Sequence, residues 1–164
     1  MHQLLLSLLL ALVLTPLVLL VGYHIVLPRI ITFGYRQSLS SDKFTNADGS
    51  AGAGSVDIAY YTLYYDVRKN DLHVSGKAPS ARHWQLGAFD GATRLVDGAY
   101  MNQKTAVVDA NGHFSVIVSA KAMAEQPLPN DTTLFDCSGT PRGLIIFRVV
   151  LPEETIDPPH VRIA

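Results

Sequence analysis

The chain has 164 residues and a formal net charge of −1 with 16% charged side chains, so no basic excess marks nucleic acid as a partner. Its one cysteine, Cys137, excludes an internal disulfide framework. Residues 28–164 suffice for one domain and are too few for two.

Residues 4–27 are a run of leucine, valine and alanine without a charge, broken only by Ser7, Thr15, Pro16, Gly22, Tyr23 and His24. As one helix the run reaches roughly 36 Å, against a hydrocarbon core of about 30 Å. This predicts a transmembrane anchor over residues 1–28. Leu4 and Leu27 stand near its ends, Pro16 is a tolerated kink, and Tyr23 sits at an interface. A cleavable signal peptide fits less well. Met1, His2 and Gln3 supply no basic start, and Leu20 occupies the place where a small residue should precede Gly22. His24, beside Tyr23 and close to Arg29, reads as a headgroup-level residue rather than a proton carrier within the membrane. Arg29, Arg36 and Lys43 all follow the run, and basic residues by themselves would keep the C-terminal part in the cytoplasm.

Residues 30–35 are apolar and aromatic, as in an interfacial or first-strand segment. Residues 29–55 as a whole join this segment to a Gly/Ser-rich linker, in which no G-x-x-x-x-G-K pattern suggests a phosphate cradle. From residue 56 the chain reads as strands. Residues 58–67 carry Tyr60, Tyr61, Tyr64 and Tyr65, a composition suited to a pleated, half-buried surface. Leu72 and Val74 alternate with His73 and Ser75. Trp84, Leu86 and Ala88 alternate with His83, Gln85 and Gly87. A short strand follows over residues 95–100. Residues 106–109 and 114–118 flank Asn111 and Gly112, the pair that a type I′ hairpin turn favours, and this arrangement sends Phe114, Val116 and Val118 to the core. Residues 125–142, with three prolines, read as an irregular excursion. Residues 144–151 form an apolar run interrupted by Arg148, the pattern of a central strand. The proline-rich tail from residue 152 reads as extended along the surface. The predicted fold class is an all-β antiparallel sandwich or jelly roll over residues 56–164, preceded by the transmembrane helix.

The segments LHVSGKAPSARHWQL at 72–86, DANGHFSVIVS at 109–119 and GLIIFRVVLP at 143–152 resemble a bacterial family, domain of unknown function twelve-fourteen. The resemblance spans about residues 60–160 in motif order. It implies a jelly-roll sandwich and a single N-terminal anchor, and places the domain on the periplasmic side of a bacterial inner membrane. Members often accompany a partner domain, family twelve-fifty-four, of which this chain shows no segment. The family supplies no catalytic residues to carry over, and this chain departs from its pattern at residues 126–131.

Chemistry-bearing residues are few. His73, His83 and His113 fall on or beside strands, but without an H-x-H or H-E-x-x-H spacing they predict no metal site, and no cofactor is expected. Cys137 lacks the histidine motif that would make it a nucleophile. Arg82, His83, Trp84 and Arg148 form the candidate pocket or docking surface. Arg148, if buried, requires a carboxylate or carbonyls, with Asp66, Asp90 and Asp109 as candidates. With no catalytic constellation, the expected function is a non-enzymatic accessory or scaffold subunit of a membrane complex, whose partners are membrane lipid and other integral-membrane subunits. The alternative is an envelope ligand-binding domain or hydrolytic enzyme with a pocket near Trp84.

Overall fold

Alternation of apolar and polar side chains with period two turns most of the chain into sheet. The computed structural model describes residues 2–46, 57–91, 94–121, 128 and 131–163; within the helices, the side chains of 2–10, 28, 31, 32 and 35 lie outside that description. Helix α1 (His2–Val21) passes through a π-helical turn, Gly22–Val26, into helix α2 (Leu27–Ser38). The strands are β1 (Thr45–Asn46), β2 (Ile58–Asp66), β3 (Leu72–Lys77), β4 (Ala81–Phe89), β5 (Leu95–Asn102), β6 (His113–Ser119), β7 (Thr132–Asp136), β8 (Arg142–Pro152) and β9 (His160–Ile163).

Two sheets result, in the orders β1-β2-β8-β4-β5 and β7-β6-β3-β9. Strands β6 and β7 run parallel, so the second sheet is mixed and the expectation of a wholly antiparallel sandwich is corrected. The sheets meet through Trp84 of β4, which stacks on Phe114 of β6 at 5.5 Å between ring centroids. Phe147 of β8 lies 6.2 Å from each of those rings. Around them Leu63, Tyr65, Leu86, Val116, Val118, Phe135, Ile145 and Val149 are fully buried. Buried aromatic pairs of this kind add about 0.5–1.5 kcal/mol beyond the area they bury.

Strand β8 is the centre of the larger sheet, paired with β2 from Ile58↔Val150 to Asp66↔Arg142 and with β4 from Ala81↔Pro152 to Phe89↔Leu144. Gly143 permits this triple approach. A Cβ there would stand 2.0 Å from the Phe89 carbonyl oxygen.

The transmembrane helix expected over residues 4–27 is overturned: among the described residues no helix is long and apolar enough to cross a membrane. Its predicted reach assumed one regular helix, whereas the α-helix stops at Val21, a π-helical turn intervenes, and α2 brings in Arg29 and Arg36. Leu4 and Pro16 lie in α1, Tyr23 sits in the π-helical turn with its ring edge-on to His24 at 5.0 Å, and Leu27 opens α2. Residues 30–35 are helical, not a first strand. Of the linker, 47–56 lie outside the described residues, while β1 pairs with β2 through Thr45↔Thr62.

The turn at Asn111 differs in type from the prediction. Gly112 has φ +77°, but Asn111 is not among the positive-φ residues, and the Gly112 N–H donates to the Asp109 carbonyl at 3.0 Å. This is a type I turn closed by a left-handed glycine, the three-residue alternative to the type I′ loop. Asp109 Oδ1 accepts from the backbone N–H of Asn111 and His113, both at 2.8 Å, and fixes that geometry. The upstream arm narrows to a single bridge, Val108↔Phe114. The region read as an irregular excursion contains β7, and the tail contains β9, which pairs with β3. Both are short edge strands held by pairing rather than by their own pattern. The family departure at 126–131 lies almost wholly outside the described residues.

Candidate functional site

The four candidate residues separate by strand parity. On β4, Trp84 points inward with Leu86 and Ala88 and is 3% exposed. Its backbone N–H donates to Gln103 Oε1 at 2.9 Å, and Gln103 Nε2 donates to the Arg82 carbonyl at 3.1 Å, so one amide side chain extends the β4–β5 pairing. Arg82 is exposed at the start of β4. His83 and Arg148 lie on the opposite, outer face of the larger sheet. The sheet therefore brings His83 and Arg148 to one face and takes Trp84 away from them.

The outer face has a row that sequence reasoning missed. Register places Tyr60, Arg148, Gln85 and Asn102 side by side across β2, β8, β4 and β5. The Arg148 guanidinium carbon lies 5.5 Å from the centre of the Tyr60 ring. Its Nε is buried without a hydrogen-bond partner. The partner expected for Arg148 was a carboxylate among Asp66, Asp90 and Asp109. Among the described residues the ion pairs are Arg68–Asp66 and His113–Asp109, and Arg148 joins neither. A cation–π contact takes the place of the ion pair because Tyr60, not an acid, is the cross-strand neighbour. Gln85 Oε1 accepts from the Tyr100 hydroxyl at 3.3 Å and lies 3.3 Å from His83 Nε2; Asn102 Nδ2 donates to the Tyr100 hydroxyl at 3.3 Å. The signal available beforehand was parity alone: residues alternating with Trp84 and Phe147 had to share the other face.

The three histidines do not converge. His83 is on the larger sheet, while His73 on β3 lies 2.7 Å from Ser115 Oγ on β6, and His113 sits 3.7 Å from Asp109 beside the turn. Among the described residues no group of three His, Cys, Asp or Glu is placed to hold a metal. The His73–Ser115 pair has no carboxylate to orient the ring among the described residues, so it lacks the third member of an acyl-transfer relay. Cys137 is fully buried, and burial pushes its thiol up to about 11, opposite to what a nucleophilic thiolate needs.

A comparison with protein families finds no match, and a comparison with curated proteins finds none either. Solved structures do match. An uncharacterised protein from Burkholderia cenocepacia aligns over 80% of this chain with a TM-score of 0.64 and 21% identity. A protein from Vibrio parahaemolyticus aligns over 71% with a TM-score of 0.53 and 16% identity. This chain is similar to these two in fold alone. It spans 36% of the length of the first and 33% of the second.

Proposed function

We propose that the chain is a non-enzymatic accessory module, a β-sandwich whose N-terminal helix holds it within a larger protein assembly, and that it is related to the uncharacterised bacterial family its motifs resemble. The observation that carries this reading is the surface of α1. Leu12 is 70% exposed, Leu19 67% and Val18 65%, and the other apolar side chains described in that helix are exposed with them. A helix that is apolar on every side is stable where other apolar surface covers it, and here the occupant is a partner protein with an apolar face of its own. Arg148 supports a second contact: its guanidinium lies over Tyr60 on the partly exposed outer face and joins no ion pair among the described residues, so an incoming carboxylate can pair with it. The alternative, a ligand-binding or hydrolytic pocket around Trp84, gains no such support, since that ring fills the core.

The test is affinity isolation of the tagged full chain from its native cells, with quantitative mass spectrometry of subunits recovered at fixed ratio. The expected outcome is a stoichiometric partner that is lost with Val18→Glu and kept with Lys104→Gln. Recovery of the chain alone, or a partner retained by Val18→Glu, overturns the proposal.

A further inference from the structure

A second feature lies at the end of the sandwich where α2 meets it. Arg29 and Arg36 are seven residues apart, two helical turns, and share a face of α2 with Phe33 between them. Just beyond the helix the Ser40 carbonyl accepts the Tyr64 N–H at 3.1 Å, which ties this segment to β2. Two neighbouring cavities open there. One, of about 440 Å³, is lined by Arg29, Phe33, Arg36, Tyr64, Thr140 and Arg142 among others. The other, of about 290 Å³, is lined by Arg36, Ser41, Arg68, Lys69 and Asn70, with Asp66 as its carboxylate. Arg36 belongs to both.

The charge balance is local and one-sided. Five cationic side chains line the two cavities against a single carboxylate, in a chain whose net charge is −1. That carboxylate is already engaged: Arg68 Nε donates to Asp66 Oδ1 at 2.8 Å, and its Nη2 lies 2.5 Å from Oδ2. Among the described residues Arg29, Arg36, Lys69 and Arg142 join no ion pair. Like charges lining one cleft repel one another, and an anion bound between them relieves that repulsion. Guanidinium groups bind phosphate through paired N–H donors, and Ser41, Asn70 and Thr140 add neutral donors. Phe33 and Pro141 on one side, with Leu72 and Ile163 on the other, give apolar wall for an organic portion.

We propose that this cleft is a binding site for a soluble phosphate compound with at least two anionic groups, one in each cavity, with Arg36 between them. The site is separate from the apolar surface of α1 and from Arg148. Neither of those lines it.

The test is calorimetric titration of the full chain with inorganic pyrophosphate, and with inorganic phosphate for comparison, at low and at high salt. The expected result is saturable pyrophosphate binding, tighter than that of phosphate and weakened by salt. Arg36→Gln should lower the affinity roughly tenfold or more, since it removes a charge-assisted contact shared by both anionic groups. Arg142→Gln should lower it less, and Lys104→Gln, a cation outside the cleft, should leave it unchanged. All three side chains are exposed, so each variant should fold, which thermal melts check. No saturable binding of pyrophosphate overturns the proposal. So does an equal loss with Arg36→Gln and Lys104→Gln, which marks diffuse attraction. Binding to phosphatidylglycerol vesicles without binding to pyrophosphate also overturns it, because the anion is then a lipid headgroup.

Discussion

The two faces of the larger sheet are made by the same strands, one residue out of step, and they differ in how completely they are satisfied. The inner face carries Trp84, Leu86, Phe147 and Val149, all buried, with Trp84 and Phe147 packed on the Phe114 ring of the second sheet. The outer face carries Tyr60, His83, Gln85 and Arg148, partly exposed: His83 lies 3.3 Å from Gln85, Arg148 rests over the Tyr60 ring, and one buried donor is left over. The inner face is finished within this chain; the outer face has capacity to spare. The lesson is that stability and recognition are divided by strand parity, so substitutions on alternate residues should have opposite consequences.

Gly143→Ala is the harshest test. The added methyl would meet a backbone carbonyl of the neighbouring strand, which cannot yield without parting β8 from β4, and the expected cost is more than about 3 kcal/mol. A variant that melts like the parent protein breaks the comparison. Phe147→Ala removes the ring shared by Trp84 and Phe114, and should cost about 3 to 5 kcal/mol in urea unfolding.

Titration gives a third probe of the inner side. Burial raises the pKa of Cys137 to about 11 and raises that of Tyr65, whose hydroxyl donates to the Thr140 carbonyl at 2.8 Å. The folded state therefore keeps both groups protonated after an unfolded thiol, with pKa about 8.5, has ionised. For groups with raised folded pKa, the stabilisation is complete below the unfolded value and is lost as pH climbs toward the folded one. Urea midpoints should hold up to about pH 8 and fall between there and about pH 11, with a shallower fall in Cys137→Ala. An alkaline profile identical in that variant would show that the thiol does not contribute.

Effects on the outer face should be small. Gly87→Ala places its methyl 3.1 to 3.3 Å from Leu95, Phe89 and Tyr100, all side-chain atoms able to shift, and should cost about 1 kcal/mol. Arg148→Met should be the mildest, within about 1 kcal/mol of the parent or slightly stabilising, because it removes a charge that the fold leaves incompletely paired. Partner recovery should nonetheless fall in that variant. If Arg148→Met unfolds the domain, the outer face is structural and the division by parity fails.

Sequence by itself determined the inner side of the sandwich. Period-two alternation at Leu72 and Val74, at Trp84, Leu86 and Ala88, and at Phe114, Val116 and Val118 selects the residues to bury, because successive side chains of a strand face opposite ways. It also located the turn at Gly112, where positive φ favours glycine, though not the turn type, which depends on two hydrogen bonds to Asp109. Edge strands β7 and β9 were not legible, since a short strand owes its conformation to its neighbour's free hydrogen-bonding groups. The length of the apolar N-terminal run misled, because hydropathy counts residues and does not register where a regular helix gives way to a π-helical turn. Only the tertiary structure put Tyr60 beside Arg148, and Arg36 within reach of Arg142 and Lys69. Those groups are distant along the chain, and which of them meet is decided by strand register and by where a helix comes to rest, neither of which is written in any local pattern.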